Sequence, residues 1–128
     1  MVDDMGIFRT SITITSLSDS APRRELANVV VDTGSEYSWI PRDLLDSLHV
    51  AALRKDRFET ADGRVLERDV GFALISVGGR VGASAVVFAE PGDMVLLGAH
   101  TLEGLNLRVD LARRELVPAG PVPAALAA

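Results

Sequence analysis

The sequence predicts an all-β domain with little helix. Three observations carry this. Apolar and β-branched runs recur at strand length. Turn chemistry built on Gly, Pro and Asp separates them at short intervals. Only one stretch shows helical spacing on its own.

In chain order, residues 8–17 (FRTSITITSL) alternate around Ile12 and Ile14, a half-buried strand. Residues 18–24 are a polar turn containing Pro22. Residues 26–32 (LANVVVD) form a β-branched run suited to a buried strand, and 37–40 continue with aromatic and β-branched residues. Residues 41–48 (PRDLLDSL) open on a proline and space Leu44, Leu45 and Leu48 along one helical face. Strands return at 58–61 and 64–67, flanking Asp62-Gly63, a hairpin signal that predicts a type I′ turn with two left-handed residues. A second hairpin pairs 70–77 with 81–88 across Gly78-Gly79. Pro91-Gly92-Asp93 is a turn, 95–97 a short buried strand, and 105–111 with 115–117 a last hairpin. Residues 118–128 are a Pro/Ala tail without charge, so the domain is expected over 1–117.

The chain has 128 residues, enough for one domain with a real core and too few for two. It has no cysteine, which excludes a disulfide scaffold, a thiolate metal site and a thiol nucleophile. His49 and His100 are too few for a histidine-rich metal site, though either could act as a base. A net charge of −5, with Lys55 the only lysine among scattered arginines, argues against a nucleic-acid partner. No apolar run approaches the roughly 20 residues of a membrane span, and the acidic start Met1-Val2-Asp3-Asp4 has the wrong sign for a secretory signal. A cytoplasmic protein is the expectation.

One stretch is chemically pointed. Val29-Val30-Val31 leads directly into Asp32-Thr33-Gly34-Ser35, so a carboxylate ends an apolar strand. Burying such a charge is expensive without partners or a purpose. As a bare tripeptide, Asp-Thr-Gly is ordinary turn punctuation. Pairing Ser35 with His100 as a hydrolase couple has little support, because Ser35 lacks a Gly-x-Ser-x-Gly elbow. The scattered carboxylates suggest no metal site.

Order and spacing along the chain change the weighting. Asp32-Thr33-Gly34-Ser35 after an apolar strand, the hairpin at 58–67, the paired strands at 72–88 and Val95-Leu96-Leu97-Gly98 before a short segment at 99–105 resemble the retropepsin-like aspartic proteases. The resemblance covers roughly residues 7–117 and is closer to the bacterial and cellular members. The viral members often carry Arg and then Asn or Asp after the later Gly, where this chain has Ala99 and His100.

The resemblance implies an all-β, closed-barrel acid protease fold with one or two short helices. It implies a peptide hydrolase needing no cofactor or metal. Catalysis in this family uses two carboxylates sharing one proton, one as base on water, the other polarising the scissile carbonyl. Two charges about 3 Å apart repel by roughly 5 kcal/mol at an effective dielectric of 20, which is why the pair keeps a proton. The chain has a single Asp-Thr-Gly, so the second carboxylate would be Asp32 of another copy in a homodimer. By the same resemblance, the Thr33 hydroxyls bridge the twofold axis, Ser35 steadies the outer carboxylate oxygen, and the Gly34 carbonyl accepts from substrate backbone. Ala61, Asp62, Gly63 and Arg64 form the tip of a flap over a peptide substrate. Val95 and Leu96 line side-chain pockets or simply pack in the core, and Trp39 could shape a pocket wall but is expected rather in the core or an interface. Two other classes stand beside the enzyme: a non-catalytic binding or assembly domain of the same fold, and a generic small barrel with an accidental motif.

Overall fold

A computed structural model describes residues 8–18 and 22–126. Among these residues, nine strands and two helices follow in the order β1 (Phe8–Thr15), β2 (Arg23–Val31), β3 (Ser38–Pro41), α1 (Arg42–Ser47), β4 (Arg54–Glu59), β5 (Val65–Val77), β6 (Arg80–Ala89), β7 (Leu96–Leu97), α2 (Ala99–Gly104), β8 (Leu107–Asp110) and β9 (Glu115–Pro118). Seven strands form one sheet in the order β1-β2-β7-β3-β6-β5-β4, and β1 pairs again with β5. That second pairing closes six strands into a ring and leaves β4 outside it, paired on one side only among the described residues. The fold is therefore the near-closed all-β barrel expected, with two short helices.

The alternation that predicted strands also fills the ring. Ile12 and Ile14 on β1, Val29 and Val31 on β2, Ile40 on β3, Ile75 on β5 and Phe88 on β6 point inward and are almost fully buried. Such a ring encloses side chains, so each inward residue contributes roughly 1.5–3 kcal/mol of apolar burial. Leu45 and Leu48 join this core from α1, with Leu44 partly buried beside them. The helix ends in a left-handed residue, His49 (φ 60°), and the amides of His49 and Val50 return to the Asp46 and Leu45 carbonyls. This is the double C-terminal closure that commonly uses glycine. His49 is thus an exposed capping residue.

Several boundaries moved. Residues 19–21 of the expected polar turn lie outside the described residues, as do Met1-Val2-Asp3-Asp4, and β2 already begins at Arg23. It accommodates the early start with a bulge. Ala27 and Asn28 oppose Ser11 alone, with Asn28 left-handed (φ 59°), a conformation asparagine tolerates better than most. β4 starts at Arg54, four residues before the apolar signal, because ion pairs stand in for an apolar face there: Arg54 to Asp56 at 2.9 Å and Lys55 to Asp69 at 2.9 Å. The strands expected at 64–67 and 70–77 are one continuous β5 of 13 residues. Its first half is an arm of the hairpin with β4 and its second half is barrel wall.

The two hairpin turns also differ. Gly78 and Gly79 both have positive φ and join Val77 to Arg80 as a two-residue loop. At Asp62-Gly63 only Gly63 is left-handed (φ 88°). The loop there has three residues, Ala61, Asp62 and Gly63, closed by the Thr60 amide on the Arg64 carbonyl at 2.8 Å. The expected type I′ turn is replaced by the three-residue form because Thr60 and Asp62 side chains bond each other and the Arg64 backbone.

At the C-terminal end, β8 and β9 make a separate two-stranded sheet. Leu107 and Leu116 pack beneath the Gly78 turn. Beyond β9, the Ala119 amide donates to the Asn106 carbonyl at 2.9 Å, and the Asn106 side chain donates to the Gly120 carbonyl at 2.8 Å. Among the described residues, no helix is long and apolar enough to cross a membrane.

Candidate active site

Asp32 is the first residue after β2, and β7 fixes where that strand ends. β7 lies between β2 and β3, parallel to the first (Val30 opposite Leu96, Val31 opposite Leu97) and antiparallel to the second (Trp39 opposite Leu96). The loop from Asp32 to Tyr37 therefore has to pass across the end of a two-residue strand. Asp32 donates its amide to the Leu97 carbonyl at 2.9 Å, extending the parallel ladder by one bond. The Ser35 amide then closes a turn on the Asp32 carbonyl at 3.1 Å. The Gly34 amide donates to Asp32 Oδ1 at 2.9 Å, so the carboxylate is held by backbone of its own motif. A Cβ on Gly34 would lie 3.2 Å from that oxygen, which explains a residue without one. Asp32 is half-buried, and Thr33 and Gly34 are exposed at the rim.

Ser35 does not reach the carboxylate. Its hydroxyl donates to the Tyr37 carbonyl at 2.9 Å, correcting the role implied by resemblance. A contact two residues onward is the local geometry serine finds most easily, and Gly34 has already taken the carboxylate oxygen. The Ser35 carbonyl accepts from the Ala99 amide at 2.8 Å and the Glu36 carbonyl from the His100 amide at 2.9 Å, so the start of α2 grips the loop. His100 is exposed and stacks edge-on against Tyr37 with centroids 5.6 Å apart. It carries no bond to Ser35, and the serine–histidine couple has no geometric support.

Two adjoining grooves open beside this turn. One, of about 640 Å3, runs between Gly34, Ser35, Glu36, Tyr37 and Trp39 on one side and residues 56–59 of β4 on the other. The second, of about 450 Å3, shares Ser35, Trp39 and Phe58 and continues under the hairpin past Ala61, Arg64, Leu66, Met94 and Leu96. Trp39 and Phe58 meet edge-to-face at 5.1 Å between them, and Tyr37 meets Phe58 at 5.8 Å. Trp39 forms the shared wall, the less expected of the places weighed for it. In the sequence, Tyr37 and Phe58 are read as strand residues without a role in a groove and Met94 is left out; Phe58, the sole apolar residue of β4, was the available signal.

Of the residues singled out, Ser35, Gly34, Ala61, Arg64 and Leu96 line these grooves. Asp62 and Gly63 form the exposed hairpin tip. Val95 faces elsewhere, into a small cleft with Pro41, Arg42 and Ala89. Alternation along the strand explains the split, since neighbours point to opposite faces. Among the described residues, no three His, Asp or Glu side chains are grouped to hold a metal.

Ion pairs tie the base of the hairpin to the body. Arg68 on β5 grips Asp93 with two bonds, 2.7 Å and 2.9 Å, and Asp93 also accepts from the Glu90 amide at 2.8 Å. Arg42, lying over the Phe88 ring at 4.9 Å, bonds Asp69 and Glu90 at 2.5 Å and 2.6 Å. The Arg68 guanidinium, aided by the Glu90 amide, holds the Asp93 carboxyl below its usual range. The Lys55 ammonium, then Arg42, does the same for Asp69. A depressed folded-state pKa stabilises above the unfolded value and is lost as pH falls through the folded one. Thermal melts should therefore show stability falling below about pH 4, the ordinary aspartate range. Asp93→Asn should flatten that slope; an unchanged slope would remove Asp93 from the account.

No curated protein sequence matches the chain significantly. A family model described as aspartyl protease matches residues 24–101, from the start of β2 into α2. That span holds the Asp32 turn, the hairpin and β7, and the chain belongs to the aspartyl protease family.

Proposed function

We propose that this protein is an aspartic endopeptidase active as a homodimer, in which a water between the two Asp32 carboxylates attacks a peptide bond. One carboxylate takes the water's proton while the other, protonated, polarises the scissile carbonyl. The observation that carries the reading is the Asp32 turn. A carboxylate follows a buried strand and is held by the Gly34 amide, and the next residues of the same turn, Gly34 and Ser35, line the groove beside β4. The protease domain on this reading spans residues 1–117, with 118–128 as a tail.

The substrate is an extended peptide. Among the described residues β4 has no strand partner on its outer side, and the larger groove lies between that strand and the Gly34–Trp39 segment. A peptide laid there takes main-chain bonds from the strand edge and from the Gly34 carbonyl, and puts side chains against Trp39, Phe58 and Leu96. The hairpin tip, residues 61–64, closes over it as a flap. Thr33, exposed and without a hydroxyl partner among the described residues, sits where the two copies meet on this reading.

Dilution tests the shared site. Specific activity on an extended peptide library should be constant at high protein concentration. It should fall in proportion to concentration below the dimer dissociation constant. Sizing should show monomer appearing over the same range. Constant specific activity in a demonstrably monomeric sample would overturn the shared site. A stable dimer that binds peptides without cleaving them would support the binding-domain alternative.

A further inference from the structure

A line of hydroxyls crosses the interior behind the Asp32 turn, from β3 through α2 to β6. The Gly98 amide donates to Ser38 Oγ at 2.9 Å. Ser38 Oγ and Thr101 Oγ1 are 2.5 Å apart, and Thr101 Oγ1 and Ser84 Oγ are 2.7 Å apart. Ser84 Oγ donates to the Ala85 carbonyl at 3.2 Å. The three side chains are 0%, 1% and 8% exposed in the order Ser38, Thr101, Ser84, and no buried side-chain polar atom among the described residues lacks a partner.

The direction of the protons follows from the two ends. An amide N–H can only donate and a carbonyl can only accept. Each hydroxyl has one proton, so Ser38 donates to Thr101, Thr101 to Ser84, and Ser84 to Ala85. A chain with one polarity throughout strengthens each of its bonds. It also leaves Gly98, which has no side chain of its own, held through its amide by Ser38.

Gly98 lies between two bonds to the Asp32 turn. The carbonyl on its N-terminal side, Leu97, receives the Asp32 amide at 2.9 Å; the amide on its C-terminal side, Ala99, donates to the Ser35 carbonyl at 2.8 Å. The first and last residues of Asp32-Thr33-Gly34-Ser35 are thus gripped by the two peptide planes that flank Gly98. We propose that the one-way chain Ser38–Thr101–Ser84 is the positioning element of the active-site turn, acting through Gly98. The inference rests on the reading of Asp32 as the catalytic carboxylate. Three hydroxyls in an apolar interior cost desolvation that apolar side chains of equal volume would not, so filling space does not account for them. Holding one peptide group in one orientation does.

Thr101 separates the two roles, because valine copies its shape and serine copies its hydroxyl. In the full-length chain, Thr101→Val should lower kcat about tenfold with KM nearly unchanged, at a temperature where the variant is fully folded. Its Gly98 amide should exchange with solvent about tenfold faster by NMR. Thr101→Ser should keep both close to the parent. A structural role through packing predicts the reverse order, with valine retained and serine impaired, and that order would overturn the proposal. If Thr101→Val does not fold, Ser84→Ala cuts the chain at its far end, and unchanged kcat and Gly98 exchange there would overturn it equally. Full cleavage by Asp32→Asn would refute the role given to Asp32; the exchange measurement would still decide whether the chain holds Gly98.

Discussion

Replacing Asp32 by asparagine should remove cleavage, by about 10³-fold or more, while leaving fold and dimer intact. The substitution keeps the shape and keeps an Oδ1 to accept the Gly34 amide, now 2.9 Å away, so the turn has no reason to open. What is lost is the group that can take a proton from water. The dimer should respond in a second way. Two carboxylates brought together in the parent must share a proton or repel, and a neutral amide does neither. Asp32→Asn should therefore dimerise at least as tightly as the parent, which sedimentation would measure. Cleavage at the parent rate, or a monomeric variant, would sink this account of the site.

The second large effect is expected at Gly98. Its backbone (φ −100°, ψ 178°) suits any residue, so conformational freedom is not the reason for glycine. Space is. A Cβ there would lie 2.4 Å from the Tyr37 carbonyl oxygen, 2.6 Å from its carbon and 2.9 Å from the Ser35 oxygen. All three are backbone atoms and cannot swing aside. The two oxygens also accept the bonds that shape the loop, from the Ser35 hydroxyl and the Ala99 amide. Gly98→Ala should cost roughly 3 kcal/mol, at the upper end of overpacking, or about 10 °C in Tm. It should reduce activity beyond what the lost stability explains, because the atoms displaced are those of the Asp32 turn. A melting curve and a cleavage assay well below Tm would separate the two. A variant with parent stability would show that the loop yields more than its bonding suggests.

How much of this was legible in the sequence varies with the range of the interaction. The barrel strands were readable because β1, β2 and β6 alternate or run apolar over short stretches, a purely local signal. α1 was readable from its leucine spacing. The start of β4 was not, because charge pairs hold it in place of an apolar face, Arg54 with Asp56 along the strand and Lys55 with Asp69 across to β5. Val95 and Leu96 were predicted as one unit, but β7 begins only at Leu96, and the two face a cleft and a groove respectively. Asp32 was legible as a motif, and the geometry adds which groups hold it. Gly34 does so through its amide, and Ser35 turns its hydroxyl elsewhere. The Ser38–Thr101–Ser84 chain had no sequence signature, since it joins residues 63 and 17 positions apart and exists only once the barrel closes.

The strand left outside the ring has a consequence for the protein's behaviour in solution. An unpaired strand edge invites other sheets and is a common start of aggregation. On β4 that edge carries Arg54, Lys55, Asp56 and Arg57 in succession, a density of charge that discourages a second sheet from stacking against it. Charge of this kind does not block the backbone groups themselves. On the proposal that a substrate lies along β4, one strand would refuse another folded protein's edge and still take a single extended chain, so resistance to edge-to-edge association and uptake of substrate would be set by the same four side chains.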